Sequence, residues 1–224
     1  YGIDIFTVGS DWTGAFDHMK QFCEVVYLER TKNISSTQVR NASHPIIRIG
    51  VVGTGRIAVR FVPEAKYVSG VMVNSVYNPK IESAKEFGDQ FELDLATDDF
   101  NAFMKEVDAI YIASPHQTHY EYAKRALEQG KHVLCEKPLA FKRAEAEELF
   151  TIAREHGVVL LEAIKTAYCP GFVQLVGIAK SGVIGQICDV EACFTRLTDP
   201  GLRERTDAAY GGGFTEFGSH TLLP

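Results

Sequence analysis

The chain has 224 residues, 46% of them apolar and 23% charged, ordinary globular material for one to two domains at about 150 residues each. Lys and Arg (23) against Asp and Glu (29) leave a net charge of −6, which argues against a nucleic-acid backbone as partner. No run reaches the ~18–20 consecutive apolar residues of a membrane span. The chain opens on Tyr1 without a basic-then-apolar leader, so the expectation is a piece of a longer cytoplasmic polypeptide. Cys23, Cys135, Cys169, Cys188 and Cys193 are odd in number, widely spaced and form no C-x-x-C pair. They read as reduced thiols, with neither a disulfide framework nor a metal site expected.

In chain order, Ile3-Asp4-Ile5-Phe6-Thr7-Val8 alternates as a short strand, and Glu24-Val25-Val26-Tyr27-Leu28 reads as a second. Between them Phe16, Met19, Phe22 and Cys23 recur at helical spacing. A strand–helix–strand fragment of this size, about 30 residues, is too small to fold well alone. Residues 31–44 are polar and rich in Ser, Thr and Asn, which is linker or helix-start chemistry.

From Ile46 to Val52 the chain is nearly continuously apolar, as a parallel strand buried on both faces should be. Further strands are predicted at 71–77, 109–113, 132–135, 158–161 and 187–195. A helix over 119–129 turns Ala123, Ala126 and Leu127 inward, with Gly130 as its stop. Another over 142–156 turns Ala146, Leu149, Phe150 and Ala153 inward before Gly157. Strands alternating with helices define an α/β fold with a doubly wound parallel sheet.

Directly after the first buried strand comes Gly53-Thr54-Gly55-Arg56-Ile57-Ala58. Gly53 allows a tight turn, Gly55 lets backbone approach a pyrophosphate, and the small Ala58 lets a helix pack on the strand. The helix N-terminus then offers free N–H groups to phosphates. A lone G-x-G-x-x-A also occurs in ordinary loops; here the preceding strand and following helix favour dinucleotide binding. The position that would bind the ribose is Asn78, followed by Pro79 and Lys80. Asn can bond a ribose hydroxyl without repelling a 2′-phosphate, and Lys80 could attract one, so NAD and NADP both remain open.

Two more segments sit at predicted strand ends, where ligands bind in open α/β sheets. Ala113-Ser114-Pro115-His116-Gln117-Thr118-His119 reads either as part of the cofactor site or as a capped turn with surface histidines. Cys135-Glu136-Lys137-Pro138 holds an acid–lysine pair that is either a surface ion pair or, near a cofactor, a group that orients a substrate hydroxyl or moves its proton.

Together these segments resemble the Gfo/Idh/MocA family of NAD(P)-dependent oxidoreductases. The resemblance rests on the glycine turn, the stretch Ser114-Pro115 to His119, and Gly130-Lys131-His132-Val133-Leu134-Cys135-Glu136-Lys137-Pro138-Leu139. It continues through Leu161-Glu162-Ala163, Tyr168-Cys169-Pro170-Gly171-Phe172, Gly211-Gly212-Gly213 and Glu216-Phe217-Gly218-Ser219-His220, in order over residues 46–224. It implies a Rossmann domain followed by an α/β domain with an open sheet, the site lying between them. Hydride would pass between nicotinamide and a carbinol or carbonyl carbon of a sugar- or polyol-like substrate. By the same resemblance Lys137, His220 and Glu216 are the catalytic candidates, Glu216 standing where the family has Asp. The cofactor-binding candidates are Gly53, Thr54, Gly55, Arg56, Ile57, Ala58, Asn78, Ser114, Pro115, His119, Glu136 and Lys137, and the full-length protein would be a homo-oligomer.

The front of the chain resembles the C-terminal part of a glycerol-3-phosphate cytidylyltransferase-like domain. The matching residues are Val8-Gly9-Ser10-Asp11-Trp12, Phe16-Asp17 and Val25 through Thr37, with Arg30, Ser35 and Thr37 as nucleotide-phosphate candidates and Asn33 in place of a Gly. This implies CTP as a partner of the full-length protein. The expected division is a partial transferase-like fragment at 1–40, a linker at 41–45, a Rossmann domain at 46–140 and an incomplete substrate and oligomerisation domain at 141–224. Three functions are weighed: an NAD(P)-dependent oxidoreductase, a bifunctional protein whose main activity is cytidylyl transfer to a polyol phosphate, and a non-catalytic cofactor-binding module. Lys137 and His220 favour the first over the third.

Overall fold

The computed structural model describes residues 3–29, 46–195 and 211–222, except the side chains of Thr215 and Glu216. It falls into two compact units, Tyr1–Pro45 and Ile46–Pro224. The predicted linker at 41–45, like Arg30, Asn33, Ser35 and Thr37, lies outside the described residues.

In the front unit, β1 (Ile5–Gly9) and β2 (Glu24–Leu28) pair in parallel, Ile5 against Glu24 through Gly9 against Leu28. The connection is not the predicted α-helix but two 3₁₀ segments, Ser10–Trp12 and Asp17–Gln21. Gly14, at φ +85°, interrupts the run. Phe16 is drawn onto Phe6 (ring centres 5.3 Å apart) while its N–H donates to the Tyr27 hydroxyl at 3.1 Å. These tertiary ties outweigh a short helical pattern, which is costly to nucleate, and Phe22 is left exposed.

The second unit is a six-stranded, all-parallel sheet. Its elements are β3 (Ile47–Val52), α1 (Arg56–Ala65), β4 (Val71–Tyr77), α2 (Ile81–Phe91), β5 (Leu95–Thr97), α3 (Phe100–Lys105), β6 (Ala109–Ile112), α4 (His119–Leu127), β7 (His132–Cys135), α5 (Arg143–Glu155) and β8 (Leu160–Glu162). The spatial order is β5-β4-β3-β6-β7-β8. The chain therefore winds outward one way from β3 and then, after crossing back, the other way, the doubly wound topology with its switch point between β3 and β6.

Period-two alternation sends neighbours on one strand to opposite faces. Val51, Val76 and Tyr111 join Ala58, Val62, Ala84 and Phe87 of α1 and α2 on one face. Val52, Ile110, Ile112 and Val133 join Phe103, Leu127 and Leu149 of α3, α4 and α5 on the other. Burial on both faces is why these strands read as continuous apolar runs. Asp99 caps α3, its carboxylate accepting from the Asn101 and Ala102 N–H groups.

Several expectations shift. The strand predicted at 158–161 lies at Leu160–Glu162, and it pairs with β7. The sheet thus runs past residue 140, where the sequence reading ends the Rossmann domain, because Leu160 packs into the same core as Leu149 and Ala153. On α5, Ala153 and Leu149 are buried but Phe150 is exposed; Ile152 covers the core instead. The strand predicted at 187–195 is absent: residues 185–195 have no regular structure and are exposed. Alternation alone does not make a strand, because strand hydrogen bonds need a neighbour, and none of the described strands lies beside this segment. Beyond β8 come α6 (Lys165–Tyr168), α7 (Pro170–Lys180) and α8 (Gly213–Thr221). None of the described helices is long and apolar enough to cross a membrane.

Candidate active site at the carboxyl edge of the sheet

Sheet register sets the site. Val52 pairs with both Tyr77 and Ile112, Ile112 with Cys135, and Cys135 with Glu162. Five strands therefore end almost level, and the turns after them emerge side by side where open α/β sheets bind ligands.

The turn after β3 is dictated by its glycines. Gly53 sits at φ +97°, and a Cβ there would lie 2.8 Å from the Ala113 carbonyl oxygen, so only glycine fits between the two central strands. Gly55 is the N-cap of α1, with φ −76° and no side-chain cap for the helix N–H groups. A Cβ on Gly55 would meet nothing within 4 Å. The open space faces an uncapped helix N-terminus, a natural seat for an anion. Ala58, on α1, is fully buried against the sheet.

At the end of β4 the Asn78 side-chain amide donates to the Thr54 hydroxyl at 2.8 Å, and its carbonyl accepts from the Lys80 N–H at 2.9 Å. The amide thus ties the second strand's end to the glycine turn. At the end of β6, Thr118 donates to the Pro115 carbonyl at 2.7 Å, leaving the Ser114 hydroxyl to donate to Thr118 at 2.7 Å. His119 lies behind this turn, fully buried, with Nδ1 2.8 Å from the Pro138 carbonyl and Nε2 2.9 Å from that of Ser114. Burial holds its pKa below the ordinary imidazole value, opposed by the two carbonyls. Both ring nitrogens face backbone carbonyls, of which a neutral ring donates to one, so the side chain shapes the wall and does not reach into the cleft.

The turn after β7 carries Glu136 and Lys137, with a cis peptide between Lys137 and Pro138. The Glu136 N–H donates to the Ile112 carbonyl at 2.9 Å, and its carboxylate accepts the Tyr111 hydroxyl at 2.7 Å. Tyr111 in turn stacks on Phe61, ring centres 3.8 Å apart at 20°. On α8, His220 stacks on Phe194 at 5.0 Å and 19°, and its Nδ1 lies 3.3 Å from the Thr166 hydroxyl. Burial, then the positive charge of Lys137, lower the His220 pKa from its ordinary value.

These turns enclose a cleft of about 800 Å³. Of the residues singled out from sequence, Gly53 through Ile57, Asn78, Ser114, Pro115, His119, Glu136, Lys137 and His220 all border it. Ala58 supports it from the core, and Glu216 stands one helical turn before His220 on α8 with its side chain outside the described residues. Arg60, Lys165, Phe194 and Phe217 also border the cleft and were not anticipated. Phe217 had a signal, its i, i+3 spacing from His220; Phe194 and Tyr111 had none, because their roles depend on contacts between distant segments.

The fold and cleft define a nucleotide-binding α/β module of the type that carries a nicotinamide dinucleotide across the carboxyl edge of its sheet. Residues 47–164 match the family model of the Gfo/Idh/MocA oxidoreductases, described as an oxidoreductase family with an NAD-binding Rossmann fold, and the chain belongs to that family. Among its relatives is scyllo-inositol 2-dehydrogenase (NADP(+)) IolU of Bacillus subtilis, 39% identical over 132 residues, which cover 58% of this chain and 40% of that one. Another is dTDP-3,4-didehydro-2,6-dideoxy-alpha-D-glucose 3-reductase of Actinomadura kijaniata, 36% identical over 170 residues, 75% of this chain and 51% of that one. The chain therefore spans about half the length, or less, of these relatives. A solved structure of KijD10, a 3-ketoreductase from Actinomadura kijaniata in complex with NADP, is similar at a TM-score of 0.57 and 35% identity, covering 63% of this chain and 46% of that one.

Proposed function

We propose that this chain forms the dinucleotide-binding part, and one wall of the substrate site, of an NADP-dependent oxidoreductase acting on a carbinol or carbonyl carbon of a sugar- or polyol-like ring. The observation that carries this reading is the convergence of the glycine turn, Glu136-Lys137 and His220 on one cleft. The residues suit the cofactor: Gly53 and Gly55 leave backbone room, and the uncapped start of α1 offers N–H groups to the pyrophosphate. NADP is the better fit, since Asn78 is a neutral amide where a carboxylate would repel a 2′-phosphate, and Arg56 and Lys80 add positive charge. The names of the inositol dehydrogenase and of the 3-ketoreductase structure, both citing NADP, support that choice.

When bound, the nicotinamide gives or takes a hydride at the substrate carbon. Lys137 holds the substrate oxygen with its ammonium and stabilises the charge that grows there. His220, neutral at pH 7 because its pKa is lowered, exchanges the hydroxyl proton through Nε2 while Thr166 faces Nδ1. Glu216 precedes His220 by four residues, at the position where the family resemblance places a carboxylate. Cytidylyl transfer does not enter this reading, because its phosphate candidates lie outside the described residues.

Calorimetry on the full-length protein tests the reading. NADP is expected to bind about tenfold or more tighter than NAD, and Lys137→Ala to lower kcat for a keto-sugar or inositol by about a hundredfold or more. Binding of neither dinucleotide overturns it.

A further inference from the structure

We propose that His119 is a positioning residue: its buried ring clamps the turn after β6 to the turn after β7 and so sets where the Lys137 ammonium stands in the cleft. The inference rests on the functional reading above for what Lys137 does there. The clamp itself rests on the geometry of the ring.

His119 opens α4, has no solvent exposure, and reaches two backbone carbonyls: Pro138, 19 residues ahead, and Ser114, 5 residues behind. Carbonyl oxygens only accept hydrogen bonds, so each contact is a bond only when the nitrogen facing it carries a proton. A side chain present merely to fill volume would not place both polar atoms at 2.8 and 2.9 Å from acceptors. The charged groups acting on the ring are Glu136 and Lys137, and His116 meets it edge-on with ring centres 5.5 Å apart.

The Lys137 backbone is bracketed by three further ties. The Glu136 N–H is held by Ile112, the Glu136 carboxylate by Tyr111, and the Leu139 N–H by Glu162 at 2.9 Å. The carbonyl directly after Lys137 belongs to Pro138, and His119 takes it. The bracket is thereby closed on both sides of Lys137. A catalytic group displaced by about 1 Å can lose on the order of a hundredfold in rate.

The test compares His119→Leu, which keeps apolar volume, with His119→Asn, whose amide nitrogen stands near the position of Nδ1, and His119→Gln, whose amide nitrogen stands near that of Nε2. Hydrogen exchange is read at the Leu139 and Val51 amides, with kcat and the NADP dissociation constant measured on the full-length enzyme. In His119→Leu, exchange at Leu139 is expected to rise about tenfold or more with Val51 unchanged, and kcat to fall about tenfold or more with NADP affinity within about threefold of wild type. His119→Asn recovers most of both losses. Should His119→Leu fail to fold, Asn against Gln carries the comparison: Asn keeps the tie to Pro138 and protects Leu139, and Gln does not. Unchanged Leu139 exchange and kcat in His119→Leu overturn the clamp, as does equal protection by Asn and Gln. A wild-type enzyme that binds no dinucleotide sinks the functional reading alone, since the exchange comparison still decides the clamp.

Discussion

The Tyr111 hydroxyl donates to the Glu136 carboxylate at 2.7 Å, joining a buried core tyrosine on one central strand to the residue before Lys137 at the end of the next. The phenol is almost fully buried, and burial, then the Glu136 charge, hold its pKa far above the ordinary 10.0. The native state keeps this proton at a pH where an unfolded tyrosine loses it. Its contribution to stability is therefore complete below pH 10 and declines as pH rises beyond that.

Tyr111→Phe should keep the stacking on Phe61 and lose only the hydrogen bond. The expected destabilisation is about 1–2 kcal/mol at neutral pH, somewhat below the full value of a bond to a charged group because Glu136 is partly exposed. Urea unfolding repeated above pH 10 should show a shallower alkaline fall in the variant than in wild type. Parallel profiles would mean that Tyr111 does not carry the effect.

The two glycines of the first turn should separate folding from ligand binding. Gly53→Ala places a Cβ at φ +97°, 2.8 Å from the Ala113 oxygen, and is expected to cost about 1–3 kcal/mol or more in stability. Gly55→Ala meets no protein atom and is compatible with φ −76°, so thermal melting should be nearly unchanged. NADP affinity measured by calorimetry should nevertheless drop about tenfold or more, since the methyl group occupies the approach to the pyrophosphate. Equal affinity in Gly55→Ala would place the phosphates elsewhere.

Lys137 and His220 are electrostatically coupled, with the lysine charge adding to burial in lowering the imidazole pKa. Lys137→Met removes the positive charge, so the His220 pKa should rise toward its ordinary value. Titration of the His220 Cε1 proton by NMR reads this directly. A pKa that stays put would show that the two side chains do not share the cleft.

Much of this architecture is legible along the chain. The apolar run from Ile46 to Val52 ending in Gly53-Thr54-Gly55 specifies a buried strand, a turn and a helix start, because burial on two faces and a positive φ leave local marks. Ala123, Ala126 and Leu127 show their inward face by spacing alone, and all three are buried. The segment at 187–195 shows the limit of such patterns, because its alternation has no neighbouring strand among the described residues to satisfy it.

By itself the sequence determined the alternation of buried strands with helices, the doubly wound class, and which turns carry glycine, proline and charge, while β5, α2 and α3 left no mark that was read from it. Only the tertiary structure decided that Val52, Ile112, Cys135 and Glu162 stand level, that His119 is a buried bridge and not a cleft-facing ligand, and that Tyr111 reaches Glu136. The physical reason is range. Periodicity and φ preferences act within a few residues, whereas these relationships join residues brought together by sheet register, crossover packing and the exclusion of water from both faces of the sheet.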